Sequence, residues 1–168
     1  MNDQSTDTPF PAPAELLVRL LKLGSFISGP MRDGVCDPAE ISSNELRVIM
    51  ALAGEGALAG HDLVEITGLP PMNISRAIAS LRDRGWIEDA VDPDNRRRRP
   101  VRLSAEGHEA YRRTQPHFDV VADALLSSLT NRQRQQLASL TDKVNARLIA
   151  WIRDHHSEVK LARPDQDA

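Results

Sequence analysis

Cysteine occurs once in the 168 residues, at Cys36, which excludes an intramolecular disulfide framework and any cysteine-based zinc ribbon. Aromatic residues make up only 4% of the chain, and no apolar run approaches the ~20 residues needed to cross a bilayer. The opening segment, MNDQSTDTPFPAPAE, is acidic and lacks the basic start and apolar stretch of a signal peptide, so a cytoplasmic protein with no membrane role is expected. Positive charge is also short overall: 21 Lys and Arg face 24 Asp and Glu, a formal net charge of −3. Taken as one number, that argues against nucleic acid.

What is present reverses that inference. Residues 1–70 carry four basic side chains against ten acidic, whereas residues 71–103 carry eight arginines against five acids. Arg96, Arg97, Arg98 and Arg99 are consecutive, and arginine's rigid fork of donors suits phosphates and guanine edges. Alone, such a run is more often a solvated loop. Its surroundings decide what it means.

Six helical segments and one hairpin are legible. Ala14–Ser28 holds more apolar residues than one face of a monomer helix needs, Gly29-Pro30 ends it, and a polar loop is expected to reach Glu40. Ser42 and Glu45 form a capping box that starts a helix over Asn44–Ala53. A short helix, Gly60–Thr67, and a turn at Gly68 precede a helix from Pro71 to about Arg84, whose Ile74, Ala77, Ile78 and Leu81 share one face. Trp86–Val91 and Pro100–Leu103 read as strands flanking the turn Asp92-Pro93-Asp94-Asn95 and the arginines. A helix from Ser104 to about Leu129, with a kink expected at Pro116, is followed by a second capping box at Thr130-Asn131-Arg132-Gln133. The last helix carries a stripe of Leu137, Leu140, Val144, Leu148, Trp151 and Ile152. The expected class is mainly α with a small β-hairpin: a winged helix-turn-helix core over 41–107, with its recognition helix at 71–84 and its wing at 86–103. Helices at 14–40 and 108–159 would serve dimerisation, with flexible tails at 1–13 and 160–168.

In a winged helix-turn-helix the second helix lies in the DNA major groove. The apolar periodicity leaves Met72, Asn73, Ser75, Arg76, Ala79, Ser80 and Arg82 facing outward. Asn73 can read an adenine edge and Arg76 a guanine edge, while Ser75 and Ser80 can reach phosphate. No carboxylate stands on that face before Asp83. Arg96–Arg99 at the hairpin tip supply phosphate or minor-groove contacts. Double-stranded DNA is therefore the expected partner. The rival classes are a winged-helix protein–protein interaction module and a ligand-binding protein without an operator, and the polar outward face speaks against the first.

The stretch ISSNELRVIMALAGEGALAGHDLVEITGLPPMNISRAIASLRDRGWIEDAVDPDNRRRRPVRLSAEG, Ile41–Gly107, resembles the core of the MarR family of bacterial transcription regulators. Its most specific parts are Leu81-Arg82-Asp83-Arg84-Gly85-Trp86-Ile87 and the hairpin ending in Val101-Arg102-Leu103-Ser104-Ala105-Glu106-Gly107. The family's wing pattern places Asn95, Arg97, Leu103, Ser104 and Gly107 at its marked positions, with Asn95 where an aspartate is usual and Arg97 matching the wing arginine. The resemblance implies a homodimeric transcriptional regulator, a repressor, on a palindromic site with half-sites ~34 Å apart. It also implies release by a small aromatic or phenolic effector in a cleft that Arg47, Met50, His61, Trp86 and His117 would neighbour.

Catalysis is not expected. His61, His108, His117, His155 and His156 show no metal-ligand spacing, no glycine-rich phosphate loop follows a strand, and Asp92-Pro93-Asp94 lacks the glycine and closing glutamate of a calcium loop. No cofactor and no metal are expected. Cys36 lies between Asp33 and Asp37, whose charges oppose thiolate formation and so a redox-sensing role.

Overall fold

The computed structural model describes residues 11–92 and 98–161, and it divides into two compact units, Met1–Val121 and Ala122–Ala168. The expected tails lie mostly outside the described residues, although Pro13 already begins the first helix and the last helix runs to Leu161. In order, the elements are α1 (Pro13–Met31), a π-helical turn (Arg32–Cys36), α2 (Ser43–Glu55), α3 (Gly60–Thr67), α4 (Pro71–Asp83), β1 (Ile87–Asp89), β2 (Val101–Leu103), α5 (Ala105–Leu126) and α6 (Asn131–Leu161).

Gly29-Pro30 does not end α1, contrary to expectation. Gly29 has no Cβ to clash with the proline ring, so the residue before Pro30 keeps its helical conformation. The Arg32 N–H then reaches the carbonyls of both Ser28 and Gly29, and the chain widens into the π turn. The polar loop expected up to Glu40 is therefore partly core. Val35 and Cys36 are fully buried beside Ile41, Leu46 and Val121, and the Cys36 Sγ lies 3.7 Å from the Ser43 Oγ.

The capping box forms as read: the Glu45 N–H donates to the Ser42 hydroxyl, and the Ser42 N–H to the Glu45 carboxylate at 2.7 Å. Gly68 ends α3 with φ 68°, a left-handed conformation that a side chain would strain. The main core gathers Val48, Ile49 and Leu52 of α2, Leu63 of α3, Ile74, Ala77 and Leu81 of α4, and Ile87, Val101 and Leu103 of the hairpin. Both strands are shorter than expected and pair antiparallel, Ile87 opposite Leu103 and Asp89 opposite Val101. Leu58 joins as a third rung, exchanging backbone hydrogen bonds with Val101 at 2.9 and 3.0 Å. One residue shows no strand periodicity, so this rung was not legible in the sequence.

The Ser104 hydroxyl donates to the Gly85 carbonyl and accepts from the Gly107 N–H, fixing the start of α5 against the end of α4. In the second unit, Thr130 and Gln133 cap α6 as expected. Among the described residues no helix is long and apolar enough to cross a membrane, and no cluster of His, Cys, Asp and Glu could hold a metal ion.

Candidate nucleic-acid interface and adjoining cavity

The apolar stripe of α4 faces α2 and α3, which leaves its other side to solvent. Met72, Ser75, Arg76, Ala79 and Arg82 are exposed and Asn73 is half-exposed. Arg82 pairs with Asp89 of β1 at 2.7 Å. That leaves Asn73, Ser75 and Arg76 together near the N-terminal half of α4, with the first carboxylate of the helix at Asp83.

Ser80 is a correction. Its hydroxyl donates to Glu45 Oε1 of α2 at 2.6 Å and is partly buried, so it ties the helix to the core rather than reaching a phosphate. The apolar pattern placed it on the outward face, and it could not show that a carboxylate waits on the neighbouring helix.

Arg98 is a second correction. Its guanidinium ion-pairs with Asp62 at the N-terminal end of α3 and with Asp92 on the other arm of the hairpin. It works as a latch between wing and helix and is not a free phosphate contact. Asp62 also accepts from the Ala59 N–H at 2.8 Å, and His61 lies 3.1 Å from its other oxygen. Burial alone would raise the Asp62 pKa, but the Ala59 N–H, Arg98 and His61 together hold it below the usual carboxylate range. Arg99 is exposed. Arg96, Arg97 and Asn95 lie outside the described residues.

A cavity of about 430 Å³ opens beside this core, lined among others by Glu40, Ile41, Arg84, Trp86, Arg113, Thr114 and His117. Of the five residues expected near an effector cleft, it gathers Trp86 and His117. Arg47, Met50 and His61 are elsewhere: Arg47 and Met50 lie on the exposed side of α2, and His61 is at Asp62. Arg84 and Arg113 are the liners that sequence reasoning missed. A helix-terminal arginine and one of an Arg-Arg pair on a long helix look like ordinary surface residues until the backbone brings them to one rim.

Arg84 stacks over Trp86, its guanidinium carbon 5.0 Å from the ring centroid, and donates to the Glu40 carbonyl at 2.9 Å. Its Nε lies 3.6 Å from Glu45 Oε1, the same oxygen that receives the Ser80 hydroxyl. Glu45 is only 5% exposed. Burial alone would raise its pKa, yet the hydrogen bonds from Ser80 and Ser42 and the charge of Arg84 bring it below the ordinary glutamate value.

Comparison with known proteins agrees with this architecture. A family model described as MarR family matches residues 40–98. The transcriptional repressor MprA of Escherichia coli (strain K12) is 33% identical over 76 residues, 45% of this chain and 43% of that protein, so the chain spans under half the length of this relative. A MarR-family transcriptional regulator from Silicibacter pomeroyi shares the fold with a TM-score of 0.64 at 22% identity, covering 80% of this chain and 88% of that one. Bordetella bronchiseptica BpsR, whose DNA binding is regulated by 6-hydroxynicotinic acid, gives 0.63 at 20% identity over 80% and 96%. Residues 40–98 thus match the MarR family in sequence, and the chain shares the fold of solved MarR-family regulators well beyond that segment.

Proposed function

We propose that the protein is a transcriptional repressor that binds a palindromic operator as a homodimer and leaves it when a small anionic aromatic ligand occupies the cavity. The observation that carries the DNA reading is the solvent face of α4, where Asn73, Ser75 and Arg76 stand together with no carboxylate before Asp83. Asn73 and Arg76 are the base-reading residues of this proposal, and Ser75, Arg96, Arg97 and Arg99 its phosphate or minor-groove contacts. The docking-module alternative needs an apolar patch on α4, and Met72 is the sole large apolar side chain exposed there. Support for the ligand comes from the cavity, where Arg84 and Arg113 outnumber Glu40 and Trp86 offers a ring to stack on. BpsR, which shares the fold, responds to an aromatic acid.

Selection of bound fragments from genomic DNA should return a two-fold symmetric site. Fluorescence anisotropy on that site should then show affinity falling with salt, log K dropping by ~0.9 for each phosphate neutralised per unit of log[salt]. A salt-independent response would overturn the DNA reading.

A further inference from the structure

Arg84 belongs to two places at once. It closes α4 as its C-terminal cap, and it lines the cavity beside Trp86. Its guanidinium is shared among three acceptors or faces: the Glu40 carbonyl, the Trp86 ring and the Glu45 carboxylate. Glu45 in turn holds Ser80, one turn back along α4, and caps α2 through Ser42. Glu40 supports the same junction from outside. It is the sole non-glycine among the described residues with positive φ, 53°, and that turn presents its carbonyl to Arg84. The end of the reading helix is thus fastened to α2 through one cation whose other side looks into a cavity.

We propose that Arg84 is the positioning residue that couples the cavity to the reading helix. A carboxylate entering the cavity takes the Arg84 guanidinium from Glu45 and the Glu40 carbonyl, and α4 loses its C-terminal fastening on α2. The ligand and Glu45 compete for one cation, so ligand binding and the DNA-ready placement of α4 oppose each other by the same factor in both directions. This rests on the effector reading above, and the test separates the two.

The competition makes an unusual demand on two substitutions. Glu45→Gln keeps the shape and, with its carbonyl oxygen on the Ser42 N–H and its NH2 donating to a turned Ser80 hydroxyl, can still bridge both residues, but it removes the charge that holds Arg84. Arg84→Met keeps the stem over Trp86 but removes the cation. Both should weaken operator binding, by about 5-fold or more. Their effects on a carboxylate probe should be opposite: Glu45→Gln binds 6-hydroxynicotinate or benzoate more tightly than wild type, and Arg84→Met at least 10-fold more weakly. Calorimetric titration of the probes and anisotropy on the selected operator read both quantities, with circular dichroism to check folding. A purely structural role for Arg84 would move probe affinity the same way in both variants and would overturn the proposal. If neither probe binds wild type, the effector reading for these acids fails. The junction is then judged on DNA alone, where unchanged operator affinity in folded Glu45→Gln and Ser80→Ala proteins overturns it and a fall in both supports it.

Discussion

Arg76 and Arg98 are both arginines of the basic central segment, yet their surroundings give them different work. Arg76 stands in solvent on α4, where its fork can meet a guanine edge. Arg76→Ala is expected to cost about 1–3 kcal/mol of operator binding and to relax preference at one base pair, measurable by anisotropy against single-base variants of the site. Arg98 is held by Asp62 and Asp92. Asp62→Asn should lower stability in urea at pH 7 by about 1–2 kcal/mol, less than for a fully buried pair because the Arg98 side chain is one-third exposed. The sign with pH follows from the depressed pKa of Asp62. The unfolded chain binds the proton first as pH falls, so the contribution is complete above the ordinary aspartate range and is lost as pH drops through the lower folded value. The difference between wild type and Asp62→Asn should therefore shrink below about pH 4. A constant difference from pH 7 to pH 3 would remove the latch.

At the scale of elements, the join between hairpin and α5 is the tightest. A Cβ on Gly107 would lie 1.9 Å from the Trp86 carbonyl oxygen, and backbone on both sides cannot turn aside. Gly107→Ala should destabilise the protein by about 1–3 kcal/mol or more in thermal unfolding, and the displaced Trp86 should disturb the cavity as well. The helices themselves were readable because their signals are local. The Ser42–Glu45 capping box, the Gly68 exit and the stripe of Ile74, Ala77 and Leu81 each lie within a few residues of the feature they specify. The run from Gly29 to Cys36 was misread because its helical continuation depends on Gly29 yielding to the proline, and its burial depends on α5. Gly34 sits so close to Val121, 87 residues away, that a Cβ there would be 2.5 Å from its methyl.

At the scale of the whole molecule, α1 carries an apolar surface that the single chain leaves exposed. Leu16, Leu17, Val18, Leu20, Leu21, Leu23, Phe26 and Ile27 are all at least 40% exposed in the single chain. Burial of each leucine is worth about 1.5–3 kcal/mol, which favours a second copy as cover. Wild type should therefore sediment as a dimer. Leu17→Asp with Leu21→Asp, two side chains one turn apart, should give monomers with operator affinity reduced by an order of magnitude or more, because a monomer reads only one half-site. Dimeric sedimentation of the double variant would place the interface elsewhere.

The sequence by itself determined where helices begin and stop, which side of α4 is apolar, and where the arginines concentrate. These follow from propensity, capping and periodicity, which act over one or two turns. It also carried enough of the family's pattern for the resemblance to be recognised. Only the tertiary structure decided which polar residues remain free to act. Ser80 was claimed by Glu45 from 35 residues away, Arg98 by Asp62 from 36, and Arg84 was set between Glu45 and the cavity. A buried or half-buried polar group must find its partner wherever the chain brings one, and hydrophobic packing chooses that place without leaving a mark in the spacing of residues.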